Sequence, residues 1–189
     1  MTSASPAARR TRLRRRTALA LAAAATAALT LSACGTDTKT STPATSTSGG
    51  NAAAAKADTL TLLDDTKLAV PAKEPAALFF FSVGCGECAG GAKNLDKAAK
   101  AFDKAGKKAN FLAVDMDPSE SKTTIMQFLQ YIKAPTLPAT VDKNATLSQR
   151  YQVAALSTLI VVDPAGKVTY QATDPSAGQI QDALKKAGA

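Results

Sequence analysis

The segment Ala76–Val83, AALFFFSV, is apolar but for one hydroxyl, and it runs straight into Gly84-Cys85-Gly86-Glu87-Cys88. An unbroken apolar run of this length reads as a strand buried on both faces, at the centre of a sheet with layers packed on either side. Beyond Cys88 the pattern changes. Leu95, Ala98, Ala99 and Phe102 recur at helical spacing, and Gly106 fits the helix stop. Two cysteines three residues apart thus fall where a central strand hands over to a helix. A structural disulfide, a metal clip and a redox centre can each use such a pair.

The remaining pattern extends this reading. Thr59–Leu63 and Lys67–Val70 flank Asp64-Asp65-Thr66 and predict a small hairpin. Asn110–Met116, NFLAVDM, is a second buried strand. Asp117-Pro118-Ser119 then starts a helix whose apolar residues are Ile125, Met126, Phe128, Leu129 and Ile132. Ala139–Val141 fits a short strand and Thr146–Tyr151 a helical turn or two. Ser157–Val162 is strand again, turning at Asp163-Pro164-Ala165-Gly166 into Lys167–Gln171, and a last helix spans about Ser176–Ala187. The order β-β-β-α-β-α-β-α-β-β-α predicts an α/β layer fold with a mixed central sheet. In such folds, sites gather beyond the C-terminal ends of the strands, where Cys85 and Cys88 stand.

The start of the chain addresses compartment. Arg9, Arg10, Arg12, Arg14, Arg15 and Arg16 form a basic block, followed by the uncharged stretch Thr17–Leu31 and then Ser32-Ala33-Cys34. Basic region, short apolar region and small residues together predict a signal peptide over residues 1–33. Its apolar part is too short and too rich in Ala for a spanning helix. The ending Leu31-Ser32-Ala33-Cys34 resembles the lipobox of bacterial lipoproteins, which implies lipid on Cys34, membrane anchoring and an extracytoplasmic location. Residues 34–57 are rich in Thr, Ser and Ala and predict a disordered tether, leaving 58–189 as one domain. The formal charge of +8 points to an anionic partner only until the six leader arginines are subtracted; +8 minus 6 leaves +2. With no basic patch interleaved with aromatics, nucleic-acid binding is excluded. The lysines from Lys93 to Lys108 read as a solvated helix face.

A Cys-x-x-Cys that ends a buried strand and opens a helix resembles the thioredoxin-like proteins. The resemblance is closest to the membrane-anchored TlpA/ResA branch and covers 58–189. It is carried also by the order FLQYIK, LPATVD, RYQV and TLIVVDPAGKV in residues 128–168. It implies a three-layer fold with helices on both sheet faces and a redox-active disulfide as catalytic centre. It further implies thiol-disulfide exchange by a monomer with exported proteins, with no cofactor and with a membrane electron donor as a further partner. Two positions depart from the family pattern. Gly84 stands where the family has Trp, and Ser157-Thr158 stand where it has a cis-Pro followed by Thr. A non-proline cis bond costs about 2.5–4 kcal/mol. The peptide before Ser157 is therefore predicted to be trans, with a differently shaped loop facing the cysteines.

Within that frame Cys85, at the helix start, is the expected nucleophile, since backbone N–H groups and the helix dipole favour its thiolate. Cys88 is expected to resolve the mixed disulfide. Glu87 opposes the Cys85 thiolate slightly unless it points to water, as expected here. Two alternatives remain: a soft-metal site, copper for example, and a non-catalytic binding module of the same shape. The chain has no histidine, so His-based triads are excluded, and with Cys34 lipidated no third thiol completes a zinc site. Met116 and Met126, the other soft ligands, read as core. Asp115 and Asp117, just past a strand, have the chemistry of acid–base groups but read as strand-end and cap residues.

Overall fold

The computed structural model describes residues 56–189. The expected signal peptide, Cys34 and all of the tether but Lys56 and Ala57 lie outside the described residues.

Strand β3 (Ala76–Phe81) is the axis of the molecule, and all six of its residues are buried. It is flanked in the sheet by β4 (Asn110–Asp115), parallel, and β6 (Thr158–Val162), antiparallel. The short β5 (Ala139–Val141) lies outside β4, and β7 (Val168–Thr173) lies outside β6. The order β5-β4-β3-β6-β7 makes a mixed five-stranded sheet. β1 (Asp58–Thr61) and β2 (Lys67–Val70) form the expected hairpin as a separate ribbon.

The run of phenylalanines is explained by the two faces of β3. Ala77, Phe79 and Phe81 enter the layer formed by α1 (Cys88–Lys104), α2 (Lys122–Tyr131) and α4 (Ala177–Lys186), where they meet Leu95, Phe102, Ile125, Phe128 and Ile180. Ala76, Leu78 and Phe80 enter the opposite layer, with Leu147 of the short α3 (Thr146–Arg150), Tyr151 and hairpin residues such as Val70. Each fully buried Phe stabilises the fold by about 1.5–3 kcal/mol, so three in a row hold this strand firmly in place. α1 lies close over the sheet because Gly91 is there. A Cβ at that position would fall on the ring of Phe79. Lys93, Lys97, Lys100 and Lys104 face water on its far side, as the sequence predicts.

The outer strands are finished differently. Beside β5, the Leu63 N–H donates to the Ala139 carbonyl and the Thr140 hydroxyl donates to the Thr61 carbonyl, each at 2.8 Å. The hairpin thus covers that edge. β7 alternates half-buried residues with the exposed Thr169, Gln171 and Thr173.

Two expectations are corrected. α2 begins at Lys122 rather than at 117, because Asp117 instead closes a local turn. Its carboxylate accepts from the Ser119 N–H at 2.9 Å and the Ser119 hydroxyl at 2.6 Å, while Ser121 caps the helix through the Thr124 N–H. Met126 is not a core residue and is 43% exposed. The buried stripe of α2 is Ile125, Phe128 and Leu129, and Met126 lies off it. Met116 is half-buried against the second layer.

Candidate functional site

The turn after β3 carries the cysteines, which are joined as a disulfide with a Cα–Cα distance of 5.4 Å. The two sulfurs are placed unequally: Cys88 is fully buried in the first layer, while Cys85 is half-buried. α1 begins at Cys88, so Cys85 precedes the helix rather than opening it. Its sulfur still receives a helix N-terminal donor, since the Cys88 N–H lies 3.3 Å from Cys85 Sγ as well as 3.1 Å from the Cys85 carbonyl. That is the contact expected to favour a thiolate on Cys85 in the reduced form. Gly84, Gly86 and Glu87 are exposed around the pair, with Glu87 on the water side. A cleft of about 370 Å³ opens beside Cys85, lined by Val83, Gly86, Ala89, Phe128 and Tyr131. Phe128 stacks on Phe81 at 5.3 Å, and Tyr131 stands largely exposed.

Ser157 and Thr158 border the same end of the sheet, because Thr158 pairs with Phe80 in the register of β6 on β3. Both are buried. Among the described residues the only cis peptide bond is Val70–Pro71, so the bond before Ser157 is trans as expected. Ser157 adopts a left-handed backbone, φ 61°, and its hydroxyl donates to the Asp174 carboxylate.

A third component was missed by the sequence reading. Glu120 reaches back to the segment between β3 and the cysteines. Its carboxylate accepts from the Ser82 hydroxyl at 2.9 Å and from the Val83 N–H at 3.0 and 3.1 Å. Behind it, Asp115 at the end of β4 is fully buried. Burial, with the neighbouring Glu120 and Asp117 carboxylates, pushes its pKa up to about 7 against the lowering effect of the Asp117 N–H. Asp117 itself is held below the usual range by the Ser119 hydroxyl and N–H, as the turn residue that it is rather than the helix cap expected. The legible signal for this pair was a carboxylate ending an otherwise apolar strand. Among the described residues, no group of three or more His, Cys, Asp or Glu is placed to hold a metal ion.

A family model described as thioredoxin-like matches residues 73–168, from just before β3 to the start of β7. The chain belongs to the thioredoxin-like family. A curated relative from Streptomyces lividans, named mercury resistance operon ORF3, is 85% identical over 134 residues, 71% of each chain. Similar solved structures include the exposed lipoprotein thioredoxin Etrx1 of Streptococcus pneumoniae (20% identity, TM-score 0.59, covering 69% of this chain and 99% of that one). They also include StoA of Bacillus subtilis (18%, TM-score 0.56, covering 68% and 96%). A third is a secreted Mycobacterium tuberculosis disulfide oxidoreductase (16%, TM-score 0.55, covering 68% and 95%). At these identities they establish the shared thioredoxin-like fold, a central mixed sheet flanked by helices; in this chain the Cys85–Cys88 disulfide follows its middle strand.

Proposed function

We propose that this thioredoxin-like chain is an extracytoplasmic thiol-disulfide oxidoreductase of the TlpA/ResA type, acting through the Cys85–Cys88 dithiol and anchored to the membrane by lipid on Cys34. One observation carries the reading. The disulfide joins a buried sulfur to one that borders an open cleft and receives a helix N-terminal N–H.

In the reducing direction, the Cys85 thiolate attacks one sulfur of a partner disulfide. That S–S bond breaks, and the second partner sulfur leaves as a thiolate and takes up a proton. Cys88, deprotonated in turn, attacks Cys85 Sγ and breaks the mixed disulfide, releasing the other partner sulfur. The chain is oxidised by two electrons to the Cys85–Cys88 disulfide and the partner is reduced to a dithiol. Return to the reduced state takes two electrons and two protons, for which a membrane electron donor is the expected source. Exported proteins are the expected partners; the exposed lipoprotein and the secreted oxidoreductase of like fold support that placement. Insulin reduction by wild-type protein, and mixed disulfides that accumulate in Cys88→Ala but not in Cys85→Ala, are the expected results. Equal trapping by both variants, or by neither, would overturn the exchange reading. A reduction potential near about −270 mV marks a reductant and one near about −120 mV an oxidant.

A second reading rests on the relative named for a mercury resistance operon. Two adjacent thiolates suit a soft cation such as Hg(II) or Cu(I), and neither ion requires the four ligands of a closed zinc site. The chain is then a carrier, with the metal as its cargo. Stoichiometric, tight Hg(II) or Cu(I) binding by the reduced protein together with negligible insulin reduction would favour the carrier over the oxidoreductase.

A further inference from the structure

β3 ends at Phe81, where its carbonyl still accepts from the Met116 N–H at 2.8 Å. One residue further the ladder has no strand left, because β4 has turned away. Glu120 takes over there, its side chain supplying the acceptor for the Val83 N–H and for the Ser82 hydroxyl. This clasp ends two residues before Cys85. The intervening Gly84 is spanned by a turn in which the Cys85 N–H donates to the Ser82 carbonyl at 3.0 Å, and a Cβ added there would touch only the Ser82 hydroxyl, at 3.9 Å. The direction in which Cys85 leaves the sheet is therefore set at Ser82 and Val83.

Asp115 stands behind Glu120 with an unusual deficit. Its Oδ1 accepts from the Asp117 N–H at 3.0 Å, but Oδ2 is buried with no donor near it. An ionised carboxylate oxygen in that position would be uncompensated beside the Glu120 carboxylate, an arrangement strongly disfavoured in a buried site. A proton on Oδ2 removes both difficulties, turning the orphan acceptor into a donor to Glu120.

We propose that Glu120 is the positioning residue of the Cys85–Cys88 turn, and that a proton carried by Asp115 keeps the Glu120 carboxylate on Ser82 and Val83. The proposal rests on the reading of Cys85 as the attacking thiol. The other charged groups around Glu120 are already engaged or set apart. Asp117 is turned onto Ser119, and Asp142 accepts from the Leu147 and Ser148 N–H groups. Lys122 pairs with Asp65 and Arg150 with Asp58, while Lys143 is exposed on the rim of the groove that Glu120 also lines. When Asp115 loses its proton, repulsion drives Glu120 off the turn and Cys85 loses its fixed orientation toward the Cys88 N–H.

The test is the pH profile of iodoacetamide alkylation of Cys85 in reduced full-length protein, read by mass spectrometry. Glu120→Ala is expected to shift the apparent Cys85 pKa by at least about half a unit, a change of about threefold in rate at a fixed pH below it. Ser82→Ala, which spares the carboxylate, should shift it in the same direction by less. Asp115→Asn, whose amide still donates to Glu120, should abolish the inflection near pH 7 that the wild-type profile carries. Profiles of Glu120→Ala and Ser82→Ala that superimpose on wild type, in proteins with native circular dichroism, would overturn the proposal. If Glu120→Ala fails to fold, the Ser82→Ala and Asp115→Asn profiles decide. Because alkylation needs no partner, the comparison reads the clasp even if wild-type protein fails to reduce insulin; that failure would count against the exchange reading alone.

Discussion

Ser157 and Asp174 tie the start of β6 to the end of β7. The Ser157 hydroxyl donates to the Asp174 carboxylate, and the Asp174 N–H donates back to the Ser157 carbonyl at 3.0 Å. Both residues have left-handed backbones, φ 61° and 48°. Proline is locked near φ −65°, so the family's residue does not fit this turn as it stands. Ser157→Pro is expected to lower stability by more than about 2 kcal/mol and to bring no gain in insulin reduction. Ser157→Gly keeps the backbone and loses only the hydroxyl contact, so its change should stay within about 1 kcal/mol. Urea unfolding beside the insulin assay checks both; a stable, more active Ser157→Pro would contradict this account.

Gly91→Ala sets two effects against each other. Alanine gains about 0.5–1 kcal/mol of helix propensity. Its methyl, however, must displace the buried Phe79 ring, and overpacking of this kind costs about 1–3 kcal/mol. Packing is expected to win, with a net loss of about 1–2 kcal/mol and a lower melting temperature. The same replacement at Gly90, whose Cβ would meet nothing, should be neutral or stabilising.

Asp115 predicts a pH dependence of stability with a definite sign. Its pKa rises from an ordinary 3.8 to about 7 on folding, so the native state holds this proton more tightly than the unfolded chain. The associated stability is complete below about pH 4, declines as pH rises and is gone above about pH 7. The loss is on the order of 2–4 kcal/mol. Asp115→Asn should flatten this part of the curve and be more stable than wild type at pH 8. Equal wild-type and variant slopes in urea unfolding between pH 4 and 8 would refute it.

Cys34→Ala should abolish lipid attachment, leaving the protein shed or still carrying its leader. The check is fractionation with mass measurement of the N-terminus; a processed form kept unchanged in the membrane would refute the lipobox reading.

Much of this was legible in the chain. The order of eleven elements follows from periodicity, because a strand buried on both faces and an amphipathic helix leave distinct marks. The cysteine pair was readable because its chemistry depends on a local junction. Met126 was misread because a helix buries a stripe, and apolar composition does not say which side the stripe is on. Asp117 misled because an Asp-Pro-Ser start suits both a helix cap and a self-contained turn. Glu120 was invisible for a different reason. Its partners are 37 and 38 residues away, and only the packing of β4 against β3 brings them together.

The way the sheet is finished at its sides bears on crowding. A surface dense with copies of a strand-rich protein risks one sheet joining the next through unpaired backbone groups. Here the hairpin occupies one border, and at the other the pairing of β7 with β6 is broken by a register shift between Val161 and Val162, which makes that edge irregular. Neither border thus offers a long, regular strand for another copy to join, and the end of the sheet that carries the cysteine cleft stands apart from both.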